Sequence, residues 1–412
     1  MSPKDFKSAR TNKLAVCTIY NRPYFPNLVA DATCTKSIAK IAAKIVNYQP
    51  NENSDIDSSF DCEKLSVSRV SGGITNILYR VSNFDVNSEK NIHGYSFTSV
   101  LVRIFGAEGM IDRDVETSAY ASLCDANIAY KYLGRFANGR IEGWLDGYRP
   151  LETIELSSNS SSTSSETTNT LSLAISEQIS NLHVNYHIQH DLEPYFSLDK
   201  PGMWDQLFSW LKQAQNSVKE KIFKGGIDEV NKAELLFMKN FNVEHELHWL
   251  KSDVVPQDAE VVFCHNDLLA ANIMMKECDD KSIQIQLIDF EYGGTNFAAF
   301  DIANHFNEYA GGTEDGIPDY SLFPSKDAQS AFIKTYLLQR EKFRNQNGSN
   351  DEIVIDDGTI DSWMEEVQAF VLANHLYWGL WAVNQAAVEG CDEFNYLLYA
   401  KNRFQRYQDC KE

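Results

Sequence analysis

Apolar residues fall at helical spacing near the start of the chain, where Ile38, Ile41, Ala42 and Ile45 share one face of a segment over 36–47. A polar, acidic stretch over 51–61 reads as a linker. Leu65 to Val70, Ile77 to Ser82 and Ser99 to Phe105 are then rich in β-branched and apolar residues and predict strands. The first two are separated by Ser71-Gly72-Gly73-Ile74-Thr75-Asn76, the pattern of a Gly-rich antiparallel hairpin. Asp112 to Asn127 predicts a helix, and Tyr132 to Leu145 predicts further strands turning at Asn138-Gly139. Ser157 to Thr170 is rich in Ser and Thr and reads as a disordered surface insertion, with a phosphorylation platform as the functional alternative. Beyond Leu171 the pattern is mainly helical, broken by a strand pair at Ile273–Met275 and Ile283–Ile288.

The fold class that follows is α+β. A small lobe with an antiparallel sheet spans 61–145, and a larger, mainly helical lobe spans 146–412. Residues 1–60 form an N-terminal extension with one amphipathic helix, expected to pack against the lobes, with a homodimer contact as one role for it.

Composition narrows the partners. The formal net charge of -21 repels nucleic acid and anionic membranes, and suits a small cationic substrate and a divalent metal. Aromatic residues make up 12%, which argues against a low-complexity chain and allows aromatic-lined pockets. The 8 Cys show no C-x-x-C pair or zinc spacing, which predicts reduced thiols in a cytoplasmic protein. The apolar run Leu14 to Tyr20 is too short and polar for a signal peptide. Val367 to Val388 carries no formal charge but includes Asn374, His375, Asn384 and Gln385. It predicts a buried helix and no stable membrane insertion.

The chemistry concentrates in His265-Asn266-Asp267-Leu268-Leu269-Ala270-Ala271-Asn272. Phosphoryl transfer to an alcohol needs a carboxylate beside the attacking hydroxyl and oxygen ligands for Mg²⁺. Asp267 followed by Asn272 has the spacing of a kinase catalytic loop, the Asp orienting the hydroxyl and the Asn helping to hold metal. The hairpin after it ends at Asp289-Phe290-Glu291, so Asn272 and Asp289 reach one end of a strand pair and can share an ion. The bland alternative makes Asp267 a helix cap and Asp289 a strand-end carboxylate.

His265 to Asn272, then Leu287 to Gly294 and Phe300 to Gly312, closely resemble the choline/ethanolamine kinase family. The resemblance runs from about Leu65 to Tyr407 and implies a protein-kinase-like two-lobed fold that uses ATP and Mg²⁺. It implies that Ser71, Gly72, Gly73, Thr75 and Asn76 belong to the phosphate-covering loop. Arg103 would carry a cation to the phosphates, held by Glu116, and the backbone around Glu142 would meet adenine at the hinge. Glu308, Tyr292, Trp378, Trp381 and Tyr399 would form the amine site, by charge pairing and cation–π attraction. Asp301 would brace the catalytic loop. Catalysis would fall to Asp267 and Arg103, with Asn272 and Asp289 on the metal.

Leu269 and Asn307 resemble the ethanolamine kinases of the family more than its choline kinases, which implies ethanolamine as the acceptor. That reaction is the first step of the CDP-ethanolamine route to phosphatidylethanolamine. The alternatives are a choline or dual-specificity kinase, an aminoglycoside-type phosphotransferase, and a pseudokinase scaffold. The Asn304 to Glu308 run disfavours the phosphotransferase, and the presence of Asp267, Asn272 and Asp289 disfavours the pseudokinase.

Overall fold

A computed structural model describes residues 22–48, 62–70, 76–84, 97–106, 112–158, 166–224, 241–345 and 353–411. The chain divides into two compact units, the first formed by residues 1–148 with 188–195, the second by 149–187 with 196–412. The acidic linker over 51–61 lies outside the described residues.

The first unit is built on β1 (Tyr24–Phe25), α1 (Thr35–Val46), β2 (Ser66–Val70), β3 (Asn76–Ser82), β4 (Ser99–Phe105), α2 (Arg113–Asp125), β5 (Tyr132–Phe136) and β6 (Gly139–Gly143). Its strands form a six-stranded sheet in the order β1-β5-β6-β4-β3-β2, antiparallel except where β1 runs parallel to β5. The apolar face of α1 makes it part of this unit. Ile38, Ile41, Ala42 and Ile45 pack with Val81, Val100, Val102, Ile104, Phe136 and Ile141 in one core. Burying each large aliphatic side chain contributes roughly 1.5–3 kcal/mol, so the helix is held by packing more than by propensity. Asn47 ends it, with its backbone N–H and its side-chain amide both donating to the Ala43 carbonyl, at 3.0 and 2.9 Å.

The second unit begins with β7 (Arg149–Pro150), α3 (Thr153–Ser158), α4 (Glu166–Asn185), α5 (Gly202–Lys224) and α6 (Val243–Trp249). It continues through β8 (Val261–Cys264), β9 (Ile273–Glu277), β10 (Ile283–Leu287), β11 (Gly294–Phe297) and α7 (Ala298–Glu308). It closes with α8 (Lys326–Arg344), α9 (Asp357–Glu389) and α10 (Tyr396–Lys411). Strands β10, β9 and β7 make one small sheet, and β11 pairs with β8 in another. This last pair was not foreseen from the sequence.

The Ser/Thr-rich stretch needs correction. Ser157 is buried inside α3, its hydroxyl donating to the Ile154 carbonyl at 3.0 Å, and α4 already begins at Glu166. Only 159–165 lie outside the described residues. Ser and Thr serve helix ends as readily as loops, so composition alone drew the insertion too wide.

Val367 to Val388 falls within α9, which is buried along most of that stretch. Among the described residues no helix is long and apolar enough to cross a membrane. Asp356 caps α9 by accepting from Thr359 N at 2.9 Å. Gly379 marks its close approach to α10: a Cβ there would lie 2.4 Å from Cε1 of Phe404, whose ring is 1% exposed. Ala in place of Gly gains about 1 kcal/mol of helix propensity, but overpacking an immovable ring costs about 1–3 kcal/mol. Gly379→Ala should therefore lower stability by up to about 2 kcal/mol in urea denaturation; increased stability would show that the Phe404 ring yields to the added methyl.

Candidate active site

Strand β8 delivers the chain into the loop His265–Leu269, and β11 returns beside it with Cys264 opposite Gly294. The loop has no ladder of its own, so its buried N–H groups need side-chain acceptors. Asp301, fully buried in the first turn of α7, accepts from His265 N and Asn266 N, each at 2.7 Å. One turn on, Asn304 Oδ1 accepts from Leu268 N. His183 Nε2 lies 3.1 Å from Asp301 and its Nδ1 lies 2.7 Å from the Tyr336 hydroxyl. His183, Cys264 and Asp301 bring ligand atoms within 4.8 Å of one another. Both Asp301 oxygens already accept N–H groups, so this trio braces the loop.

Asn266 takes a left-handed backbone (φ 67), which Asn tolerates better than most residues. It is held there by donating to Tyr292 O at 2.9 Å and accepting from Asn296 at 2.7 Å. Burial lowers the pKa of His265 and keeps it neutral. Its Nε2–H then donates to Ile288 O at 2.8 Å, leaving Nδ1 to accept from Asp267 N at 3.3 Å.

Strands β9 and β10 pair Ile273 with Leu287, and the ladder extends through Ile288 N to the Asn272 carbonyl at 3.0 Å. Asn272 and Asp289 thus meet at one end of the hairpin. Asn272 Nδ2 donates to Asp267 O at 2.9 Å and Oδ2 at 3.0 Å, which turns the amide oxygen toward other partners. Asp289 sits at φ 62, ψ 61, a backbone state that costs a non-Gly residue on the order of 1–3 kcal/mol and is kept where surroundings enforce it. The Asp267 carboxyl is pushed well above the usual carboxylate range, first by burial and then by Glu308, Asp289 and Glu291. Carboxylates crowded this closely favour a cation among them, and the oxygen donors of Asn272 and Asp289 are of the kind Mg²⁺ takes.

An aromatic wall stands in the same unit. Trp378 and Trp381, one turn apart on α9, have ring centroids 5.3 Å apart. The Tyr292 ring lies 5.3 Å from Trp378, and its hydroxyl accepts from Trp381 Nε1 at 2.8 Å. Glu308 ends α7 and is 4% exposed; burial raises its pKa and Arg403 opposes that rise. Tyr399 on α10 is buried, which pushes its phenol up, and it feels the charges of Glu308 and Asp267. Arg403 and Glu291 carry charge in this site and had no assigned role from the sequence. Arg403 lies four residues beyond Tyr399 on α10, so helical spacing could have found it.

In the first unit, the carboxylate beside Arg103 is Glu142 and not Glu116. Arg103 on β4 donates from Nε to Glu142 Oε1 at 2.9 Å. Glu116 on α2 pairs instead with Arg140 Nη1, and with Arg113 at 3.5 Å. Arg140 is fully buried, and its Nε also donates to Glu142 Oε1, at 2.7 Å. Burial alone would raise the Glu142 pKa, but Arg103 and Arg140 outweigh it and hold the carboxyl down at about 2. Nor does the Glu142 backbone belong to a hinge. It lies in an inner strand, opposite Leu101 on one side and Tyr132 on the other, so 144–148 are the first residues beyond the ladder. Asn76 begins β3 and is buried opposite Phe105, whereas Ser71, Gly72, Gly73 and Thr75 lie outside the described residues.

Residues 67–408 match the choline/ethanolamine kinase family. A protein of Arabidopsis thaliana named "Probable ethanolamine kinase" is 34% identical over 360 residues, covering 85% of this chain and 81% of its own. Another from the same plant, "Probable choline kinase 1", is 30% identical over 357 residues, covering 84% and 87%. The crystal structure of a choline kinase from Cryptosporidium parvum Iowa II is similar with a TM-score of 0.64 and 25% identity, covering 92% of this chain and 95% of that one. Matched in sequence over most of its length and in backbone to a solved kinase, the chain belongs to the choline/ethanolamine kinase family and has its protein-kinase-like α+β fold.

Proposed function

We propose that the chain transfers the γ-phosphoryl group of ATP to the hydroxyl of ethanolamine, giving phosphoethanolamine and ADP. The observation that carries this reading is Asp267, tied to Asn272 at 3.0 Å and raised in proton affinity by burial and by Glu308, Asp289 and Glu291. Asp267 would orient the alcohol and accept its proton late in the transfer. Asn272 and Asp289 would hold Mg²⁺, which when bound neutralises charge on the ATP phosphates. Arg103, oriented by Glu142, would pair with those phosphates. Glu308 would take the ammonium group beside Trp378, Trp381, Tyr292 and Tyr399. This is catalysis by positioning and electrostatics, without a covalent enzyme intermediate.

The relatives include both ethanolamine and choline kinases, and the aromatic wall formed by Tyr292, Trp378 and Trp381 favours a second reading. Aromatic faces attract a trimethylammonium group as well as a primary one. Leu269 and Asn307, together with the higher identity to the ethanolamine-type relative, favour ethanolamine.

A coupled ADP-release assay with ethanolamine, monomethylethanolamine and choline at equal concentration should rank them in that order of kcat/KM; choline ahead of ethanolamine would replace the proposed acceptor. Asp267→Ala should reduce kcat about 10³-fold or more with an unchanged melting temperature, and retained turnover would remove Asp267 from the mechanism. Glu142→Gln should lower kcat/KM for ATP about tenfold, and further than Glu116→Gln does, because Glu142 is the carboxylate beside Arg103. The reverse ranking would return that role to Glu116.

A further inference from the structure

We infer that Arg403 is a positioning residue for the amine site: it fixes the Glu308 carboxylate by one oxygen and supplies the buried counter-charge that lets Glu308 meet an organic cation. The inference rests on the reading of Glu308 as the amine-binding carboxylate and deepens it.

Arg403 is fully buried on α10, where an unpaired guanidinium would be costly. Its placement is fixed by groups from two other helices. Nη1 reaches Glu308 Oε1 on α7 at 3.3 Å, and Nη2 donates to Asn374 Oδ1 on α9 at 2.7 Å. Asn374 Oδ1 is itself held by Asn307 Nδ2 at 2.9 Å. The guanidinium also lies 5.6 Å from the centre of the Tyr399 ring, one turn back on its own helix.

A carboxylate as buried as Glu308 takes up a proton unless a cation stands beside it, and a protonated acid attracts no ammonium. Burial raises the Glu308 pKa, and Arg403 is the group that opposes the rise. The geometry of the contact matters as much as its charge. A bidentate clasp would occupy both carboxylate oxygens, whereas this one runs from a single Nη to a single oxygen. Arg403 thus stands behind Glu308 while the carboxylate also acts on Asp267, whose proton affinity it raises. The rival account makes Arg403 a structural tie among α7, α9 and α10, with no specific effect on the amine.

The two accounts separate in steady-state kinetics on the full chain, with melting curves for each variant. E308Q should raise KM for ethanolamine about 30-fold, and R403M should raise it by a similar factor while KM for ATP moves less than about twofold. R403K should recover part of the loss. Combined with E308Q, R403M should add less than about threefold, because the carboxylate through which it acts is gone. If R403M does not fold, R403K measured alone and combined with E308Q gives the same cycle. Factors that multiply in the double variant, or equal losses for ATP and amine, would leave Arg403 a structural tie and overturn the inference. If E308Q itself left the amine KM unchanged, the underlying reading of Glu308 would fail and the inference with it. An effect of E308Q without one of R403M would sink the inference alone.

Discussion

A loop outside any ladder is rigid only where its N–H groups meet fixed acceptors, and Asp301 provides two such bonds to His265 and Asn266. Each buried donor left unmet would cost on the order of 1–3 kcal/mol, so this carboxylate sets where Asp267 can stand. It is held in turn by His183, itself bonded to Tyr336 on α8. Asn304 adds the third fixed point at Leu268, three residues along α7 and so on the same helical face as Asp301. The placement of Asp267 therefore follows from one helix, and the same helix ends at Glu308. One rigid element carries both the support of the proposed base and the carboxylate proposed for the amine.

Each unit holds its own network of charged groups. In the first, Arg103 and Arg140 share Glu142, and Glu116 pairs with Arg140 and Arg113, beside a sheet proposed to serve ATP phosphates. In the second, Glu308, Asp289 and Glu291 act on Asp267, and Arg403 pairs with Glu308. An isolated buried charge is expensive, so each network must either compensate itself or await a ligand of the other sign. The first unit largely compensates itself, and Tyr120 adds a hydrogen bond to Glu142 at 3.2 Å. In the second, the carboxylates that act on Asp267 suit the divalent ion and the ammonium group proposed for that site.

What could be read from the sequence was whatever has a short period. The α1 face, strands β2 to β6 of the first sheet and the β9–β10 hairpin all declare themselves within a dozen residues, whereas β1 did not, and the hairpin alone brings Asn272 toward Asp289. Partners chosen by register were not readable that way. Arg103 lies directly opposite Arg140 across β4 and β6, so like charges on neighbouring strands must share the nearest carboxylates. Glu142, two residues beyond Arg140 on the same face, takes Arg103, and Glu116 on α2 is left to Arg140. Alternation within Gly139–Gly143 could have put Arg140 and Glu142 together, but only the paired sheet shows which arginine each acid meets. Helical spacing from Tyr399 points to Arg403, but its partners were hidden for a different reason: Glu308 and Asn374 come from helices far away in sequence.

Selectivity between a primary and a trimethylated ammonium turns on what each loses on leaving water. A primary ammonium gives up hydrogen bonds through its N–H groups and must recover them from placed acceptors, whereas a trimethylated one has no N–H to satisfy and gains from apolar and aromatic contact. The wall of Tyr292, Trp378 and Trp381 can receive either, and its rings are already fixed by the Trp381–Tyr292 hydrogen bond. In the proposed site, discrimination must then come from the acceptor side, the place assigned to Glu308. A carboxylate free to swing can follow the bulk of methyl groups; one tied to Arg403, itself held by Asn374, offers an oxygen at a set place. That rigidity rewards a ligand able to donate to it, which is the physical ground for the ethanolamine preference proposed above.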